Sequence, residues 1–157
     1  MKILMVCLGN ICRSPLAEGI LKDKLKKRNN TAEVDSSGTS DYHFGEEPDS
    51  RTIAVAEKHK IDISSHRGRH FTAKDFGIYD KIYAMDSSNF RNIVHLARNE
   101  SDRSKVQMIL NVTNPGKNFD VPDPYYSGND GFELIFRLLD DACEKIAVSL
   151  EKNSRLP

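Results

Sequence analysis

The sequence has no excess of charge of either sign. Lys plus Arg and Asp plus Glu each number 23, so the formal net charge is zero. That balance argues against a nucleic-acid binder working through bulk charge, though not against a local positive site. Long apolar runs are missing too. No stretch approaches transmembrane length, and Met1-Lys2 followed by six mostly apolar residues is too short for a signal peptide. Cysteine is scarce: three residues, an odd count, suit a reducing cytoplasm better than a disulfide framework. Cys7 and Cys12 lack the second Cys or His cluster that would complete a metal site. There is no internal repeat, low-complexity tract or linker. The expectation is a single cytoplasmic domain over 1–157, large enough to bury about 70% of its unfolded surface.

What is present alternates between two periods. Ile3 to Cys7 reads as a buried parallel strand. Residues 15–29 repeat apolar positions at Leu16, Ala17, Ile20, Leu21 and Leu25, with Lys22, Lys24, Lys26 and Lys27 on a solvated face. A second strand runs from Glu33 to Ser37 and closes at Gly38. Pro48 and Asp49 open a helix to about His59, and residues 61–76 read as loop. A third strand covers Lys81 to Met85, with Asp86 or Ser87 capping a helix to about Arg98. Val106 to Leu110 is a fourth strand. Pro115, Gly116, Pro122 and Pro124 make 111–131 a long loop, a kind that in compact domains is usually functional or disordered. A last amphipathic helix spans about Asp130 to Glu151, with Cys143 in its apolar stripe. This order predicts a doubly wound α/β domain, in which ligands sit at the carboxyl ends of the strands.

Cys7-Leu8-Gly9-Asn10-Ile11-Cys12-Arg13-Ser14 occupies such an end. Read as strand, tight loop and helix start, it is a cradle for an oxyanion. Gly9 and Asn10 can take left-handed backbone angles that turn several N–H groups toward one point. Ser14 can cap the helix and Pro15 suits its first turn. The helix N-terminus adds positive potential, and Arg13 supplies a planar fork matching two phosphate oxygens. Amides, helix and guanidinium all favour Cys7 as a thiolate, the nucleophilic form. The alternative for Cys7 is a thiol that merely finishes a buried strand. No Gly-Lys-Ser/Thr follows the glycine, so this is not a nucleoside-triphosphate loop.

A thiolate attacking a phosphate monoester needs an acid for the departing oxygen, because a phenol of pKa about 10 leaves poorly as an anion. The candidate is Asp123 in Val121-Pro122-Asp123-Pro124-Tyr125-Tyr126, stiffened by the prolines on both sides. Alone, the tripeptide would pass for an ordinary turn.

Val6 to Pro15 resembles the active-site loop of low-molecular-weight protein tyrosine phosphatases, and Asp123-Pro124-Tyr125-Tyr126 resembles the acid loop of the same family. The resemblance runs nearly the whole length. It implies a four-stranded parallel sheet with helices on both faces and hydrolysis of phosphotyrosine proteins or peptides through a cysteinyl-phosphate. Cys7 would be the nucleophile, Arg13 the phosphate clamp and Asp123 the acid and base, without metal or cofactor. The substrate's phosphate would meet the loop from Leu8 through Gly9, Asn10, Ile11 and Cys12 to Ser14. Inorganic phosphate and other oxyanions would inhibit; neither nucleic acid nor membrane is an expected partner.

The family holds the loop asparagine with a serine and a histidine, and the matching positions here are Ser36 and His66. Ser37 stands where alanine is commoner in the family. Tyr42, Tyr125 and Tyr126 read as walls of an aromatic slot, or as ordinary half-exposed packing. Asp86 is a second acid at the rim or only a helix cap. A Cys7–Cys12 disulfide would protect the nucleophile from over-oxidation, unless Cys12 is simply a small buried hydrophobe.

Three rival functions share the loop. Arsenate reductases relay oxidation through two further cysteines, and nothing between Cys12 and Cys143 can serve. Protein-arginine phosphatases carry threonine at the position of Ile11, whose larger apolar side chain suits an aromatic ester. Against a phosphate-binding module without turnover stand Cys7, Arg13 and Asp123 all present together, and a hydrolysis assay with an aryl phosphate separates the two.

Overall fold

Ile3, Met5 and Cys7 face one hydrophobic cluster, while Leu4 and Val6 face another. Such alternation with both faces buried is what a central parallel strand requires. A computed structural model of the chain describes residues 1–125 and 127–154. Its strands are β1 (Lys2–Cys7), β2 (Glu33–Gly38), β3 (Lys81–Ala84) and β4 (Val106–Met108). They form one four-stranded sheet of order β2-β1-β3-β4, all parallel. The chain leaves β1 toward β2 and later returns to β1's other side, so the end of β1 is the topological switch point.

The helices are α1 (Arg13–Lys27), α2 (Ser50–Lys58), α3 (Ser87–His95), α4 (Glu100–Ser104) and α5 (Asn129–Ser154). α1, α2 and α5 cover one face, where Leu16, Ile20, Phe132, Ile135 and Leu139 meet Ile3 and Met5. α3 and a 3₁₀ turn (Ala73–Gly77) cover the other, with Phe71 and Phe76 edge to face at 5.4 Å. The result is a single three-layer α/β domain with Cys7 at its switch point. No helix among the described residues is long and apolar enough to cross a membrane.

Some boundaries differ from the sequence reading. β4 stops at Met108 because a 3₁₀ turn, Ile109–Asn111, follows at once. α3 ends at His95, and the span after it holds α4, whose N-terminus is capped by Asn99 accepting from Asp102 N–H at 2.9 Å. Ser14 does not cap α1. The cap position is Cys12, whose side chain makes no capping bond, and Ser14 lies inside the first turn. Its hydroxyl is drawn instead to Cys7 and Asn10. Of the two residues expected in left-handed conformation, Asn10 adopts it at φ 59°, whereas Gly9 does not. Gly9 is needed for another reason: a Cβ there would stand 2.9 Å from the His43 ring.

Candidate active site

β1 delivers Cys7 to the head of the loop, and α1 begins at Arg13 on its far side. Among the described residues, the amides of Leu8, Gly9, Ile11, Cys12 and Arg13 meet no protein acceptor. Ile11, Cys12 and Arg13 are buried, where amides are normally paired, so these open donors together with those of Leu8 and Gly9 suit an anion. Asn10 N–H points to Cys7 Sγ at 3.3 Å, and Ser14 Oγ lies 3.0 Å from the same sulfur. Asn10 Nδ2 donates to Ser14 Oγ at 2.8 Å, so the acceptor side of that hydroxyl is occupied. Its own proton then has two acceptors within reach, Cys7 Sγ at 3.0 Å and Ser37 O at 3.3 Å.

Asn10 is held from every side. Nδ2 also donates to Ser36 Oγ at 3.0 Å, and Oδ1 accepts from Arg69 N–H at 2.9 Å and faces His66 Nε2 at 3.1 Å. Ser36 Oγ donates onward to Glu18 Oε1 at 2.7 Å, and His66 Nδ1 lies 3.6 Å from that oxygen. Burial works against an imidazolium at His66 while Glu18 favours one. The network holds an otherwise unfavourable left-handed asparagine in place.

Arg13 is 2% exposed. Its Nη1 donates to Asp86 Oδ2 at 2.7 Å and to Val121 O at 2.9 Å, and its Nη2 lies 3.5 Å from Asp123 Oδ2. Burial alone would lower its pKa, but the Cys7 sulfur and the Asp86 and Asp123 carboxylates outweigh that and hold it above its ordinary value. Asp123 Oδ1 accepts from Tyr125 N–H at 3.1 Å, a turn between Pro122 and Pro124 that leaves Oδ2 toward the cleft. Asp86 also caps α3, accepting from Asn89 N–H at 2.7 Å. Cap and arginine partner are both its work.

These groups border a cleft of about 260 Å³ lined by Cys7, Leu8, Gly9, Ile11, Cys12, Arg13 and Asp123, with Tyr42, His43 and Tyr125 at its walls. The side chains of Asn10 and Ser14 are not in that lining and stand behind the loop as braces. Tyr42 is 83% exposed and forms a lip, not an inner wall. Tyr126 lies outside the described residues. Cys12 is buried, and burial pushes its thiol up to about 12. Cys143 is enclosed in the core, where burial likewise raises its thiol.

The sequence reading missed Glu18, Ser40 and His43. Glu18 pairs with Lys22 one turn on and so passes for part of a solvated face. His43 is pinned by Glu46, Nδ1 to Oε2 at 2.5 Å, and its ring lies 6.5 Å from that of Tyr125. The loop carrying it showed only polar composition.

The model of the family described as low molecular weight phosphotyrosine protein phosphatase matches residues 2–156. The low molecular weight phosphotyrosine protein phosphatase of Schizosaccharomyces pombe is 42% identical over 143 residues, covering 88% of this chain and 90% of its own. A protein tyrosine phosphatase of Entamoeba histolytica, solved with Hepes in its active site, superposes with a TM-score of 0.90 at 36% identity, covering 98% and 99% of the two chains. The Drosophila arginine phosphatase superposes at 0.86 with 35% identity over 93% and 95%. This chain therefore belongs to the low molecular weight phosphotyrosine protein phosphatase family.

Proposed function

We propose that this protein hydrolyses phosphotyrosine in proteins and peptides, and small aryl phosphates, through a cysteinyl-phosphate. The observation that carries the reading is Arg13. Its guanidinium reaches Asp123 on one side of a cleft that Cys7 lines, which brings nucleophile, clamp and acid within one substrate's length. Cys7 Sγ attacks phosphorus in line, forming the P–S bond as the P–O bond to the phenol breaks. Asp123 gives its proton to the departing oxygen. The freed carboxylate then takes a proton from water, whose oxygen bonds to phosphorus as the P–S bond breaks and the thiolate returns.

Arg13 and the five free amides stabilise the equatorial oxygens throughout. The Ser14 proton offers the sulfur a partner as it leaves in the second step. Hepes, a sulfonate, in the active site of the Entamoeba relative fits a site built for tetrahedral oxyanions, phosphate among them. A phosphoarginine substrate is less well served. Ile11 puts an apolar branched side chain in the cleft lining, which favours an aromatic ring over a guanidinium.

The deciding experiment is Cys7→Ser. A hydroxyl can preserve the cradle but does not ionise near neutral pH, so the variant should bind phosphate or a phosphotyrosine peptide without turning it over. Retained aryl-phosphatase activity in that variant would overturn the scheme.

A further inference from the structure

Arg51 lies outside the cleft, yet its guanidinium ties the segment after Asp123 to Asp49, whose backbone N–H bonds the Cys7 loop. Nε donates to Asp49 Oδ1 at 3.0 Å and Nη2 to Asp49 Oδ2 at 2.9 Å, a bidentate fork. The remaining donors turn to the segment after Asp123: Nη2 to Tyr125 O at 2.8 Å and Nη1 to Ser127 O at 3.1 Å. The guanidinium carbon also lies 4.7 Å over the Phe132 ring at the start of α5. Toward the nucleophile, Asp49 N–H donates to Ile11 O at 2.9 Å. One unbroken run of bonds thus leads from the Cys7 loop through Ile11, Asp49 and Arg51 to the backbone beside Asp123.

Local stability of α2 does not call for this arrangement. Asp49 caps α2 by accepting from Arg51 N–H at 2.9 Å, and that cap needs no arginine side chain. The acid turn is also stiff by itself, through Pro122, Pro124 and the bond from Tyr125 N–H to Asp123. What a stiff turn lacks is a fixed distance to the nucleophile. A planar fork that satisfies a carboxylate and two carbonyls together supplies one, which a flexible ammonium cannot.

We propose that Arg51 is a positioning residue for proton transfer: it sets where Asp123 stands relative to Cys7 while touching neither substrate nor phosphate. This rests on the reading of Asp123 as the general acid. Misplacing an acid by about 1 Å can cost on the order of 10²-fold in rate, and the loss falls on leaving groups that need the proton.

The test is kcat/KM over a series of aryl phosphates of graded phenol acidity. Wild type, Arg51→Ala, Arg51→Lys, Asp123→Asn and the two double variants are compared. Arg51→Ala should lose about 10- to 100-fold with a phenol near pKa 10 and far less with a strongly acidic nitrophenol. On the Asp123→Asn background the same change should add little, because the proton it positions is gone. Arg51→Lys keeps a cation near Phe132 and provides a folded variant if alanine does not fold. It should show the same leaving-group selectivity at smaller size. An equal loss across all leaving groups, or full additivity with Asp123→Asn, would overturn the proposal alone. If Asp123→Asn itself lost equally across the series, the assignment of the acid would fall and the proposal with it.

Discussion

Arg13 Nη1 donates to Asp86 Oδ2 at 2.7 Å across 73 residues of sequence, while Asp86 Oδ1 caps α3 at Asn89 N–H. One carboxylate therefore starts a helix and orients the Arg13 guanidinium that lines the cleft. Arg13 is almost fully enclosed and the Asp86 side chain is 19% exposed, so this pair is far less screened than a surface one. Asp86→Ala takes away the nearer of two carboxylates beside a buried cation, together with the α3 cap, and should cost about 3 kcal/mol of stability. Asp86→Asn keeps an acceptor for the cap and should retain about 1 kcal/mol of that. Urea unfolding would measure both. Wild-type stability in the alanine variant would contradict the pairing described.

Asp123→Asn removes the proton donor but leaves Cys7, Arg13 and the amides in place. Phosphorylation of Cys7 should slow by about 10²- to 10⁴-fold with a phenol near pKa 10, and by much less with an acidic phenol that departs unaided. In the proposed scheme Asp123 is also the base of the second step, so single-turnover measurements are needed to isolate the first. Equal loss with good and poor leaving groups would remove Asp123 from its role, and Asp86 would be the next acid to replace.

Ile11 supplies a specificity test. Ile11→Thr places a small polar side chain in the cleft lining and should raise phosphoarginine hydrolysis relative to aryl phosphate. Wild type should hydrolyse phosphotyrosine peptides well and phosphoserine poorly, as expected if the aromatic-walled cleft admits a long aryl ester to Cys7 better than a short alkyl one. A wild-type preference for phosphoarginine would show that Ile11 has been misread.

Cys12 offers a pH test. Its pKa is raised to about 12 by burial, so at neutral pH it is a thiol and a poor nucleophile. Alkylation by iodoacetamide, followed by mass spectrometry, should therefore leave Cys12 unmodified while Cys7 is consumed. The shift also has a sign for stability. The unfolded thiol ionises near 9.0 and the folded one near 12, so the unfolded state gains as pH rises through that window and native stability falls. Cys12→Ala should flatten the decline. Rapid Cys12 labelling near pH 7 would refute the burial effect.

The local chemistry of the site was legible because it is written within single elements. A buried strand, a glycine-bearing loop and a helix start lie consecutively around Cys7, and the prolines beside Asp123 stiffen it without help from elsewhere. Periodicity likewise separated strands from helices, since alternation in β1 and the apolar stripe of α5 are properties of contiguous residues. The short α4 escaped because five residues are too few to show a period.

The sequence by itself determined the α/β class and pointed to the candidate nucleophile, the candidate anion loop and the candidate acid, all of which rest on neighbours in the chain. Spacing alone did not show who holds them: the family resemblance pointed to Ser36 and His66, and the tertiary structure supplies the contacts. Sheet order β2-β1-β3-β4 brings the ends of β2 and β3 beside the end of β1, and with them Ser36 to Asn10 and Asp86 to Arg13. The contacts of Glu18 with Ser36 and of Arg51 with Tyr125 and Ser127 depend on packing between elements distant in sequence. A hydrogen-bonding side chain carries no local mark of a partner that folding brings from far along the chain, so spacing could not show that Glu18 holds Ser36 or that Arg51 reaches the backbone beyond Asp123.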